Sequence, residues 1–340
     1  MSESGNILVC GVNWIGDTIM SMPALQAFRR LNPSVRITVL VKPAMRPLWA
    51  MHAAPDRVID LEPGTSGTLR TATALKQWGP FDRAYVLPHS FRSALIPWLA
   101  RIPERIGMPG HFRDGLLTRV IRPVGGPGRA HQAYEYMDLL VPELKGTVWE
   151  SPRLRIPPET DAAIRPLLKD VLSPQVALIP GAARGPSKQW PAEHYMALGR
   201  RLSAELHCGI LVLGAPSEKA LCDDVAQRIG PGARSLAGRT GFAEWVALLG
   251  ASALVVANDS GGMHVAAAVG TPVVALYGLT DPATTGPLTK QARVLQRADA
   301  QSRDVARDSR EARDALASIS PDDAYRAALE LIETKGYTGA

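Results

Sequence analysis

Short, mostly apolar runs recur along this chain, and each ends in a polar or glycine-bearing turn. Asn6-Ile7-Leu8-Val9-Cys10 is the first, followed by runs at 35–41, 58–61 and 84–87. A second series follows at 176–179, 209–213, 252–257 and 272–277. Such runs predict strands of a parallel sheet covered on both faces, because a strand with one wet face would alternate apolar and polar residues. Between them the period changes. Ile19, Met22, Leu25 and Phe28 recur at helical spacing and predict a helix over 17–31. A helix is also expected near 160–169. A last amphipathic helix over 321–334 is carried by Ala324, Ala327, Ala328, Leu331 and Ile332. Strands alternating with helices predict an α/β fold.

Proline at 152, 157 and 158 marks a linker, which divides the chain into α/β domains over 1–160 and 171–320 with a terminal helix over 321–335. Two such sheets joined by one linker are expected to face a central cleft, with ligands at the carboxyl ends of the strands. The Gly- and Pro-rich stretch 122–130 reads as an exposed loop. Residues 290–320 are polar and alternate in charge, with no pattern that predicts an element. No internal sequence repeat is visible.

Composition narrows the class. With 46% hydrophobic and 21% charged residues, the chain is a well-packed globular protein. No apolar run reaches the roughly 18 residues that a membrane span needs. The N-terminus enters a strand without a basic, cleavable leader, so export is not expected. Cys10, Cys208 and Cys222 match no metal or redox spacing and are expected to be buried thiols in a reducing compartment. The net charge of +6 is uneven: residues 1–165 hold 20 Lys/Arg against 14 Asp/Glu, and residues 166–340 hold 18 of each. An anionic partner at the N-terminal half follows. Nucleic acid is disfavoured, because the basic residues form no runs and few aromatic residues are available for stacking.

Four strand-to-helix turns carry the candidate chemistry. Gly16-Asp17 opens the first helix, where a carboxylate serves either as a cap on backbone N–H groups or as a general base. The spaced glycines of a dinucleotide fingerprint are missing there, which disfavours a dehydrogenase. The segment 180–191 brings Ser187 and Lys188 to a small-residue loop without Walker spacing; Lys188 is either a solvated lysine or a point charge on a pyrophosphate. Glu218, after the strand at 209–213, is either a solvated helix-start residue or a ligand for ribose hydroxyls. The run Asn258-Asp259-Ser260-Gly261-Gly262-Met263-His264 leads from a strand into a helix. Free N–H groups and the helix dipole there suit a phosphate, and Asp259 suits sugar hydroxyls. The alternatives are an ordinary N-cap at Ser260 and a buried, satisfied His264.

Four segments together resemble one family. Gly11-Val12-Asn13-Trp14-Ile15-Gly16-Asp17, Tyr85-Val86-Leu87-Pro88-His89-Ser90-Phe91-Arg92-Ser93-Ala94-Leu95, Gly185-Pro186-Ser187-Lys188-Gln189-Trp190-Pro191 and Asn258–Ala268 are similar, in order, to the lipopolysaccharide heptosyltransferases of glycosyltransferase family 9. The resemblance implies a GT-B fold of two Rossmann-like domains, with the last helix crossing back to the first. It implies an inverting transfer of heptose from ADP-heptose to a heptosyl-Kdo2-lipid A acceptor at the inner face of the inner membrane. The enzyme would be cytoplasmic and peripheral. Asp17 would be the base, Lys188 would hold the donor phosphates and Asp259 the heptose. Ser187, Glu218, Ser260, Gly261, Gly262, Met263 and His264 would complete the donor site. No tightly bound cofactor is implied, no metal ligands stand out, and Mg2+ would at most stimulate. Lys42, Arg46, Arg92, Arg105 and Arg113 are the candidates for the acidic acceptor. Other members of the family, with another acceptor or nucleotide sugar, and a noncatalytic sugar-nucleotide-binding protein on the same fold are the competing readings.

Overall fold

A computed structural model of the protein describes residues 5–110, 112–125, 130–144, 150–299 and 306–334. The chain divides into two units, 1–155 and 156–340. The division falls within the proline-marked stretch.

The first unit runs β1 (Asn6–Cys10), α1 (Ile15–Leu31), β2 (Arg36–Val41), α2 (Arg46–Ala50), β3 (Arg57–Asp60), α3 (Gly64–Leu75), β4 (Arg83–Val86), α4 (Phe91–Leu99), β5 (Glu104–Gly107), β6 (Arg119–Val120) and α5 (Ala133–Leu140). Its strands form a parallel sheet in the order β3-β2-β1-β4-β5-β6. The apolar runs at 6–10, 35–41 and 84–87 are its central strands, where Leu8, Val9, Ile37, Val39, Ala84 and Val86 are wholly buried, and the run at 58–61 is the half-buried edge strand β3. With helices on both faces, neither face of these strands meets water.

The second unit runs α6 (Pro158–Leu168), β7 (Gln175–Ile179), α7 (Ala192–Leu206), β8 (Gly209–Val212), α8 (Lys219–Ile229), β9 (Ala233–Ser235), α9 (Phe242–Ala251), β10 (Leu254–Asn258), α10 (Gly261–Ala268), β11 (Val273–Tyr277), α11 (Pro282–Thr285), β12 (Ala292–Gln296), α12 (Arg310–Ala317) and α13 (Pro321–Thr334). Its parallel sheet is ordered β12-β11-β10-β7-β8-β9. Counted from its own first strand, this is the order of the first unit. The two halves share a topology that the sequence does not display as a repeat, because helix and strand periodicity constrain residue class, not identity.

In each sheet the chain starts at a central strand, winds to one edge, returns, and winds to the other. The strand order reverses between β1 and β4, and again between β7 and β10. Loops leave such a reversal on opposite sides and open a crevice at the strand ends.

Helix α13 packs its apolar face within its own unit. Ala324, Tyr325, Ala328, Leu331 and Ile332 are buried in the core of the second unit, alongside Trp190, Leu202 and Val274. Residues 290–320 contain β12 and α12. The first is an edge strand whose side chains stay partly exposed, and the second buries only Ala312, Ala315 and Leu316, so both patterns are weak in sequence. The loop expected at 122–130 is described only at 122–125 and 130. All three cysteines are buried and unpaired, as expected, and burial pushes the thiols of Cys10 and Cys222 up to about 12.

Candidate active site

The second reversal point is organised by one fully buried side chain. Asn258, the last residue of β10, donates through Nδ2 to the carbonyls of Pro180 (2.9 Å) and Gly181 (3.2 Å). Its Oδ1 accepts from the Trp190 N–H (3.0 Å) and lies 3.1 Å from the Tyr195 hydroxyl. The carboxamide thereby ties the loop after β7 at both of its ends to the end of β10. A buried amide with its hydrogen bonds satisfied is a rigid fixture. Trp190 reinforces it by donating through Nε1 to the Ile319 carbonyl (2.9 Å).

On this frame Lys188 meets Asp259. The ammonium and carboxylate form an ion pair, their side chains only 12% and 10% exposed. Thr280, after β11, donates its hydroxyl to the same carboxylate oxygen (2.7 Å). Beside them Ser187 is buried, and its hydroxyl has no hydrogen-bond partner among the described residues. Ser187, Lys188, Asp259 and Thr280 line one small cavity with Leu276, Gly278, Leu279 and Leu316. A buried hydroxyl without a partner, next to a shielded ammonium, is an environment that a ligand oxygen completes. Burial and the Asp259 charge hold the Tyr277 phenol well above its ordinary value, so it stays a donor, to the Thr285 carbonyl (2.8 Å).

Ser260 is the N-cap of α10, with extended dihedrals and no side-chain cap bond. Asp259, Ser260 and Gly261 are half-buried, whereas everything from Gly262 to Ala268 is buried. The first-turn N–H groups are therefore available for an anion, while the side chains of Met263 and His264 (3% exposed) lie in the core. Glu218 is partly committed: its carboxylate accepts from the Ala215 N–H (2.8 Å). It also lies directly over Gly181, where a Cβ would sit 2.1 Å from it, so it does reach the strand-end loop.

Two neighbours were not anticipated. Thr280 follows β11 and is 21 residues from Asp259 in sequence, a separation with no local signature. Arg307 lies in the stretch that carried no pattern. Its carbonyl accepts from the Ser187 N–H (3.2 Å), and its side chain covers Gly185, whose φ of +95° suits glycine.

The first unit has its own site at the β1/β4 reversal. A cavity of about 150 Å³ is lined by Cys10, Gly11, Asn13, Lys42, Arg92 and Ser93, among others. Asp17 is half-buried in the first turn of α1, close in sequence to this lining. Of the five basic candidates, Lys42 and Arg92 line the cavity. Arg92 also donates to the Glu62 carbonyl (2.5 Å) and to Thr68 Oγ1 (2.8 Å). Arg46 is exposed and paired with Asp60 at 2.8 Å. Arg105 and Arg113 are bonded to carbonyls of their own unit. Arg105 donates to the carbonyls of Leu116 (2.7 Å) and Ile102 (2.6 Å). Arg113 is wholly buried and donates to Met108 O (2.9 and 2.6 Å) and to Pro88 O. Arg113, out of water, needs such acceptors, and half-buried Arg105 spends donors on them as well.

Residues 69–313, more than half of the chain, match the model of glycosyltransferase family 9 (heptosyltransferase). The chain is 33% identical over 312 residues to lipopolysaccharide heptosyltransferase 2 of Escherichia coli (strain K12), covering 85% of this chain and 87% of that one. It is 30% identical over 346 residues to lipooligosaccharide heptosyltransferase 2 of Haemophilus influenzae, covering 96% and 99%. The solved structure of E. coli ADP-heptose lps heptosyltransferase II superposes with a TM-score of 0.85 at 28% identity, over 97% of this chain and 99% of that one. Two parallel sheets of one topology, a paired lysine and aspartate at a reversal point, and this likeness over most of the length agree: the chain belongs to glycosyltransferase family 9, the heptosyltransferases.

Proposed function

We propose that this enzyme transfers L-glycero-D-manno-heptose from ADP-heptose to heptosyl-Kdo2-lipid A, the second heptose addition to the lipopolysaccharide inner core, with inversion at the anomeric carbon. The observation that carries the reading is the shielded Lys188–Asp259 pair beside the unpartnered Ser187 hydroxyl, under the open first turn of α10. The second unit would take the donor and the first unit the acceptor.

In the transfer, an acceptor hydroxyl attacks the anomeric carbon while the bond to the ADP oxygen breaks. Positive charge develops on the sugar and negative charge on the departing diphosphate. Asp17 takes the proton from the attacking hydroxyl. Lys188 and the N–H groups of Gly261, Gly262 and Met263 receive the charge of the leaving phosphate, fixed donors in a site already formed. Asp259 holds Lys188 and accepts from heptose hydroxyls. Lys42 and Arg92 meet the acidic core of the acceptor. Catalysis would take place at the cytoplasmic face of the inner membrane; no helix among the described residues is long and apolar enough to cross it.

The test is ADP release from ADP-heptose by the purified protein, given heptosyl-Kdo2-lipid A in one reaction and Kdo2-lipid A in another. Release only with the first supports the proposed step. Release only with the second assigns the first heptose addition instead, and release with neither overturns both assignments.

A further inference from the structure

Helix α4 is apolar on both faces. Ala94, Ile96 and Pro97 turn into the first unit and are buried. The opposite face carries Phe91, Leu95 and Trp98, at i, i+4 and i+7, with Phe91 45% and Trp98 47% exposed. Helix α3 packs beside α4 and adds Leu69, 58% exposed. Phe112 is fully exposed on the loop that Arg113 fastens to the Pro88 carbonyl, just ahead of α4. Single exposed apolar residues need no explanation, but two aromatics on one helix face with a third on the adjoining loop do.

The charge around this face is one-sided. Residues 84–103 contain no carboxylate and two arginines, Arg92 at the start of α4 and Arg101 just beyond its end. The Arg92 guanidinium is turned toward α3, where it donates to Glu62 O and Thr68 Oγ1. A second copy of the chain, docked on this face by a twofold axis, would set two such basic segments against one another. An anionic lipid surface matches them.

We propose that this face of α4, with Phe112 beside it, is where the first unit lies on an anionic bilayer, Phe91 and Trp98 seated at the headgroup boundary and Arg101 meeting lipid phosphates. The same helix lines the acceptor cavity through Arg92, Ser93 and Ile96. Docking it therefore brings that cavity to the level of the headgroups, where the sugar of a lipid acceptor projects. The biological sense of the surface rests on the lipid acceptor proposed above.

The test is flotation of the full chain with vesicles of phosphatidylethanolamine and phosphatidylglycerol, comparing the wild type with a Phe91→Ser/Trp98→Ser double variant. Both positions are exposed, so folding is expected to persist, checked by an unchanged melting temperature; Trp98→Tyr, which keeps an interfacial ring, is expected to retain binding. The double variant should lose roughly tenfold or more in vesicle affinity. It should also lose transfer to vesicle-embedded acceptor while keeping transfer to a deacylated, water-soluble one. Unchanged vesicle affinity overturns the proposal, and so does a variant that differs from the wild type in sedimentation mass, which assigns the face to a second copy. Vesicle binding that depends on α4, in a protein that transfers heptose to neither acceptor, supports the surface and overturns the lipid-acceptor reading alone.

Discussion

Asp17 and Lys188 are both single charges at strand-to-helix turns, yet their surroundings ask different things of them. Asp17 stands half-buried in the first turn of α1, while Lys188 is shielded and bonded to Asp259. Asp17→Ala is expected to leave ADP-heptose binding within a few-fold and to lower turnover by roughly 10²- to 10⁴-fold, the scale of a lost general base. Calorimetry for binding and ADP release for turnover separate the two, and an unchanged turnover removes Asp17 from the mechanism. Lys188→Ala should act on binding instead. It removes the charge facing the diphosphate and leaves the Asp259 carboxylate with the neutral hydroxyls of Thr280 and Tyr277, pointing at the same ligand. ADP affinity is expected to fall by at least tenfold; equal ADP affinity in the variant and the wild type would rule out the phosphate role. Sequence marked both residues because turn chemistry is local. It could not mark their partners, since Lys188 and Asp259 are 71 residues apart and meet only when β7 and β10 become neighbours.

At the scale of elements, a buried histidine joins α1, the turn after α2 and the segment leading to the linker. His52 accepts the Ala54 N–H at Nδ1 (3.3 Å), and its Nε2 faces Gln26 Oε1 (3.2 Å), which assigns a neutral ring protonated at Nε2. Gln26 Oε1 also accepts from the Arg153 N–H (2.9 Å), and its Nε2 donates to the Ser151 carbonyl (3.2 Å). Burial pushes the imidazole down to about 4, from 6.5 when unfolded. The folded value lies below the unfolded one, so as pH falls from 6.5 the unfolded chain takes up a proton that the native ring refuses until about pH 4. The contribution of His52 to stability is thus present above pH 6.5 and lost between 6.5 and 4, up to about 3 kcal/mol over that window. Denaturant unfolding of wild type and His52→Gln across pH 4–7 should give a flatter acid limb for the variant, and parallel limbs would remove His52 from the pH dependence. Long apolar elements such as β1, β2, β7 and β10 were legible because burial on both faces leaves a mostly apolar run. Edge strand β12 and the alanine-based α12 were not. Their stabilising contacts are few and come from neighbours distant in sequence.

For the whole molecule, the proposed division of labour predicts separable ligand responses. ADP-heptose at a hundredfold excess over its dissociation constant should stabilise the state that binds it by about 2.7 kcal/mol. Hydrogen exchange should then slow at 180–188 and 258–268, and a soluble acceptor fragment should instead protect 10–17 and 88–96. Protection of both sets by the donor alone would contradict the assignment of one substrate to each unit. The sequence by itself determined the class of this protein. Strand and helix periods, the Pro-marked division and the polar turns are properties of adjacent residues, and the same turns carry the family likeness. Only the tertiary structure decided which strands lie side by side, and hence where the reversal points fall. It also decided that Arg105 and Arg113 hold carbonyls inside the first unit while Arg92 lines a cavity, and that α13 packs on the second sheet. An arginine has the same charge in every such setting, and burial, which separates them, exists only once the chain has folded.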